Sequence, residues 1–163
     1  MLTDVGEYIV GAHLQLIEGC DFIDYNVRIP GGGLSGLSEL DVVGLNFNTK
    51  TAFLCEVTTH IRGLNYGSYQ TTIEKIRSKH QHQLAYANAH LSQFQNFRYM
   101  LWSPRVSVGN LTTNLAAIEG LELVINGEYK RRINELKALA ANTTHDARNP
   151  FFRILQILEH MRD

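Results

Sequence analysis

Residues 38–58 read SELDVVGLNFNTKTAFLCEVT. Glu39–Phe47 and Thr51–Thr58 are two apolar, β-branched runs, and Asn48, Thr49 and Lys50 join them, which predicts an antiparallel hairpin. Residues two apart in a strand share a face, so Glu39 and Asp41 point one way together, as do Glu56 and Thr58. Leu40, Val42, Leu54, Cys55 and Val57 set these acids among apolar side chains. An uncompensated carboxylate in such a strand is costly, and three together repel one another. The cluster becomes favourable when a hard divalent cation binds it through oxygen. The plainer reading is an exposed sheet edge kept soluble by its charges.

Outward from the hairpin the period changes. Thr3 or Asp4 can cap a helix whose apolar positions Val5, Tyr8, Ile9, Ala12 and Leu16 recur at 3.6 residues, with Gly19 as its stop. Phe22–Ile29 reads as a strand ended by Pro30 and Gly31–Gly33. No lysine follows these glycines, so they read as a flexible connection rather than a phosphate-cradling loop. On the other side, a loop with Gly63 and Gly67 leads to a long helix from about Tyr69 to Leu91. FRYMLW (residues 97–102) and LELVI (121–125) read as strands buried on both faces, separated by a short helix over Asn110–Ile118. Helices follow over Asn126–Ala141 and from Phe151 to about Met161, the last opened by Pro150. Hairpins followed by helix–strand alternation predict an α/β fold, a mixed β-sheet flanked by helices on both faces, with extra C-terminal helices. No repeat or linker divides the chain, so residues 1–163 are expected to be a single domain.

Hydrophobic residues make up 44% of the 163 and charged residues 19%, which excludes global disorder. Fifteen Lys and Arg against sixteen Asp and Glu exclude a generally cationic nucleic-acid binder but leave room for a local basic patch. Cys20 and Cys55 are too few for a disulfide framework or a cysteine-built zinc site. No apolar run approaches the roughly 18 residues that span a bilayer, and Asp4 and Glu7 do not suit a signal peptide. The expectation is a soluble, cytoplasmic protein without a membrane partner.

The order helix–β–β–β–helix–β, with Asp41 on the first long strand of the hairpin and Glu56 on the next, resembles the PD-(D/E)XK nuclease superfamily. This is the restriction-endonuclease-like fold that includes Holliday junction resolvases. The resemblance covers a core of about residues 1–103 and leaves about 104–163 as an elaboration. It implies that Asp41 and Glu56 hold Mg²⁺ (or Mn²⁺), that the Val57 carbonyl adds a ligand, and that Glu39 is a further ligand or positions the attacking water. The helix-borne acid of many relatives falls on Glu7, which lies opposite the apolar stripe, where a solvated acid is expected. Thr58 stands where the family has its lysine. A hydroxyl there can hold a water but supplies no charge. The charge is then expected from the following helix, from Lys79 before Lys75, with Lys79 Nζ reaching the space beside Glu56. The implied activity is metal-dependent hydrolysis of DNA phosphodiester bonds. The alternatives are a catalytically inactive nuclease-like module that binds nucleic acid and a small interaction subunit. A homodimer is compatible with each.

Lys75, Lys79 and His82 recur at i, i+4 and i+7, with Arg77 at the edge of the same face, as phosphate contacts would require. His80 instead continues the stripe Ile73, Ile76, Leu84, Ala87, Leu91 and reads as packed and hydrogen-bonded. His80, His82 and His90 do not make the H-E-x-x-H pattern of zinc proteases. His60 and Arg62 either face the site or begin the loop; Tyr66, Tyr69 and Gln70 line a groove or pack the helix start. Lys130, Arg131 and Arg132 read as a solvated face. Cys55 reads as core rather than nucleophile, and Ser35 and Ser38 show no nucleophile-elbow pattern.

Overall fold

The computed structural model describes residues 2–28 and 39–162. Its elements are α1 (Val5–Leu16), β1 (Phe22–Arg28), β2 (Glu39–Asn46), β3 (Thr51–Val57), α2 (Tyr69–His90), β4 (Asn96–Ser103), α3 (Asn110–Ala116), β5 (Leu121–Ile125), α4 (Asn126–Ala141) and α5 (Pro150–His160). The strands form one sheet in the order β1-β2-β3-β4-β5. β1, β2 and β3 pair antiparallel, whereas β3, β4 and β5 pair parallel, the crossovers being α2 and α3. This is the α/β mixed sheet that the element order predicts. The expected connection over Pro30 and Gly31–Gly33, Ile29, and both Ser35 and Ser38 lie outside the described residues. Among the described residues no helix is long and apolar enough to cross a membrane.

The two sheet faces carry different helices. On one, α1 and α4 cover Val42, Phe53, Cys55, Trp102 and Val124, with Val10, Leu14 and Tyr129 pressed against them. α5 packs outside this layer through Phe152 and Leu155 on Ala12, Leu136 and Ala140. On the other face, α2 lays Ala87 and Leu91 near Leu54 and, with α3, Ile73, Ile76, Leu111 and Leu115 around Leu101. β4 lies between β3 and β5, and its C-terminal half is fully buried. β5, expected to be buried on both faces, is the sheet edge and is mostly half-exposed.

α1 differs from the expected phase. Val5 is 56% exposed, while Gly6, Glu7, Val10 and Leu14 are buried. The reason is close approach rather than hydrophobicity. A Cβ on Gly6 would stand 2.3 Å from Thr59 Cγ2, and one on Gly11 2.0 Å from the Tyr25 hydroxyl. The two glycines let the helix backbone sit on the sheet and turn Glu7 inward with them.

Of the expected solvated face on α4, Lys130 and Arg131 are exposed but Arg132 is not. Arg132 is only 7% exposed. It pairs with Glu18, Glu122 and Glu128, and its guanidinium lies 5.6 Å from the centre of the Trp102 ring. Arg98 joins Glu18 and Glu122, and Arg131 joins Glu128 and Glu135. Glu128 and Glu135 lie at helical spacing on α4 itself, but the spacing of residues 130–132 gives no sign of Glu18, Arg98 and Glu122, which come from other segments.

Candidate active site

Register Val42↔Cys55 puts Asp41 across from Glu56, one step along the same antiparallel ladder. The two carboxylates therefore stand on adjacent strands and on one sheet face. Asp41 Oδ2 accepts a hydrogen bond from the Val57 N–H at 2.8 Å. Lys79 of α2 reaches down and pairs with Glu56 Oε1. Its position follows from the seating of α2. Gln83, one turn later and buried, donates to the carbonyls of Leu54 and Met100 at 2.9 and 3.1 Å, and Ile76 packs beneath. A helix fastened to β3 and β4 in this way holds Lys79 over Glu56.

The electrostatics are those of too many acids for one cation. Glu56 is 4% exposed. Burial, then the Asp41 charge, push its carboxyl up to about 8, against the opposing pull of Lys79. Burial also raises Asp41, though the Val57 N–H and Lys79 resist. Burial alone would lower Lys79, but Glu56 and Asp41 outweigh it and hold the ammonium above its ordinary range. At neutral pH the pair of acids thus retains a proton that two separate carboxylates would have lost.

Glu7 joins this group from α1. It is buried, not solvated as its phase predicts, and burial raises its carboxyl, with a smaller contribution from Asp41. Its Oε2 accepts from the Asp4 N–H at 2.9 Å, completing the helix cap, and from Asn26 Nδ2 at 3.2 Å. Asn26 has a positive φ of 54° and is skipped by the ladder, which pairs Tyr25↔Val42 and Val27↔Leu40 on either side. Asn tolerates this left-handed conformation better than other side chains. The irregularity falls opposite Asp41.

The remaining predicted residues are divided. Glu39 is paired with Arg28 across the β1–β2 ladder at 3.0 Å, and its charge reaches Asp41 only as a minor influence. Thr58 is buried and donates its hydroxyl to Ser103 Oγ at 2.8 Å, so that hydrogen is already committed. Lys75 lies over the Tyr66 ring, 4.0 Å from its centre. His82 is half-buried one turn beyond Lys79. Arg77 faces the other way, lining a cleft of about 470 Å³ with His80, Leu84, Ile118 and Glu119. His80 is packed as expected, its ring nitrogens bonded to Gln83 Oε1 and the Glu119 carbonyl. Cys55 is fully buried beside Met100, and burial pushes its thiol far up. Asn26 and Ser103 escaped the sequence reading. The only signals were a polar residue between Tyr25 and Val27 and a serine just before Pro104.

Among the described residues no group of three or more His, Cys, Asp or Glu side chains is arranged to hold a metal ion. Two facing carboxylates nonetheless fit Mg²⁺, which takes oxygen ligands, keeps several waters and needs only one or two protein carboxylates. Comparisons of the chain with family models, curated proteins and solved structures give no match.

Proposed function

We propose that this protein is a metal-dependent nuclease of PD-(D/E)XK type that hydrolyses DNA phosphodiester bonds. One observation carries the reading: Asp41 and Glu56 face each other from adjacent strands with raised proton affinity, and among the described residues Lys79 is the side-chain cation paired with them. Acids forced together in an apolar sheet are a cost that a divalent cation would repay. Asp41 and Glu56 would hold Mg²⁺ or Mn²⁺, which when bound eases deprotonation of a water and offsets charge on the phosphate.

The chain's own groups account for the rest. Lys79 Nζ, already beside Glu56, would supply the positive charge that Thr58 lacks. Thr58, bonded to Ser103, fixes the end of β3 against β4 and keeps only its oxygen lone pairs for a further hydrogen bond. Glu7, through Asn26 and the α1 cap, fixes the β1 irregularity opposite Asp41.

The test is nicking of supercoiled plasmid with Mg²⁺ or Mn²⁺, alongside Asp41→Asn. Metal-dependent nicking by the wild type, absent in the variant, supports the reading. Salt-sensitive DNA binding without cleavage in either metal refutes it in favour of an inactive binding module, a reading that the committed Thr58 hydroxyl favours.

A further inference from the structure

Positive charge near the acids is mostly spent. Lys79 is paired with Glu56 and Arg28 with Glu39, while Arg77 lines a cleft elsewhere. Lys75 is held differently. Its ammonium sits 4.0 Å from the centre of the Tyr66 ring, and that ring also packs on the Leu64–Ile73–Ile76 cluster and meets His60 edge-on at 5.1 Å. An aromatic face attracts a cation through its quadrupole but does not neutralise it. Lys75 is therefore fixed in place with its full charge still available to an anion.

The loop that presents Tyr66 is built rather than loose. Leu64 is buried and its N–H donates to the Arg105 carbonyl at 2.9 Å. The Asn65 N–H donates to His60 Nδ1 at 3.2 Å, and the Tyr66 N–H to Thr72 Oγ1 at 2.9 Å. Thr72 in turn donates to the Ser68 carbonyl at 2.7 Å, inside the first turn of α2. Lys75 and Lys79 are four residues apart on that helix, so their side chains rise from it one turn, about 5.4 Å, apart. Lys79 marks the acid pair; Lys75 marks the next position along the helix.

We propose that Tyr66 is a positioning residue that holds Lys75 as a phosphate-binding cation, forming a subsite for the nucleic-acid phosphate adjacent to the one at Asp41 and Glu56. The inference rests on the nuclease reading for its ligand. The side of Tyr66 toward the site agrees with it, since Lys79, Glu56 and Asp41 all influence its hydroxyl.

Binding of a fluorescein-labelled DNA duplex, measured by anisotropy in EDTA across a salt series, tests this without cleavage. Lys75→Met is expected to weaken binding about tenfold and to reduce the salt slope by about one. Tyr66→Leu should reproduce both changes, because the lysine loses its ring. Tyr66→Phe, which keeps the ring, should behave as wild type. The Lys75→Met, Tyr66→Leu double variant should be no weaker than either single. An unchanged slope in Lys75→Met overturns the subsite whatever the stability of Tyr66→Leu. So does a double variant that loses the product of the two single effects, or a wild type that does not bind the duplex. Loss of slope in Lys75→Met and Tyr66→Leu, together with a wild type that never cleaves in Mg²⁺ or Mn²⁺, leaves the subsite standing and removes the nuclease reading.

Discussion

Two charged clusters stand on opposite faces of the same sheet, and they are balanced differently. On the α1–α4 face, Glu18, Glu122, Glu128 and Glu135 interleave with Arg98, Arg131 and Arg132, so almost every carboxylate has a guanidinium. Hydrogen bonds from Arg131 and Arg132 hold Glu128 down at about 2. On the α2 face, Asp41 and Glu56 share one lysine and their proton affinities rise. A network in which the carboxylates meet guanidinium groups is complete in itself and belongs to the fold. A cluster whose acids are raised is missing positive charge, and that deficit is what a cation or a phosphate-bearing substrate would meet.

The largest expected difference is in activity. Asp41→Asn and Glu56→Gln should each lower metal-dependent cleavage at least a thousandfold while leaving the thermal melt in place, because each removes a repelling charge and keeps the shape. Cleavage that survives in either variant breaks the functional half of the contrast. Arg132→Met should do the reverse. Removing a buried guanidinium leaves Glu18, Glu122 and Glu128 without it, at a cost of about 3 kcal/mol, or roughly 6–12 °C in melting temperature. Its cleavage rate per folded molecule should not change.

Lys79→Met should slow cleavage about a hundredfold, as expected for loss of a preorganised cation, without altering the salt slope of DNA binding. A variant with intact turnover and weaker, salt-dependent binding would make Lys79 an ordinary phosphate contact.

The two clusters should also answer pH in opposite senses. The folded-state proton affinity of Glu56 lies above its unfolded value, so its contribution to stability is complete below about pH 4.5 and is lost as pH rises through about 8. Urea melts should therefore show stability falling by about 2 kcal/mol between roughly pH 5 and pH 7, and Glu56→Gln should flatten that slope. Glu128 is depressed, so its contribution is present above about pH 4.5 and is lost as pH falls toward 2. A slope unchanged by Glu56→Gln would place the retained proton elsewhere.

Much of the fold was legible in the sequence because each element announces its own ends. Asp4 caps α1, Ser68 caps α2, and Pro150 opens α5. Asn48–Lys50 turn the hairpin whose register joins Asp41 to Glu56. Lys79 could be anticipated because Thr58 supplies no charge and the next helix in chain order is the nearest source of one. What escaped depends on contacts between distant segments. Glu7 was placed on the solvent face because the apolar count favoured Val5 and Tyr8, whereas Gly6 and Gly11 decide the docking by lacking side chains. Arg132 finds Glu18 beyond the end of α1 and Glu122 on β5, and Thr58 finds Ser103 on β4. No local spacing encodes those meetings.

Calorimetric titration of Mn²⁺ into the wild type, Asp41→Ala and Glu56→Ala tests the central claim most directly. The account predicts one site in the wild type, with protons released as the acids ionise, and its loss in both variants. Unchanged Mn²⁺ binding in both variants would contradict it.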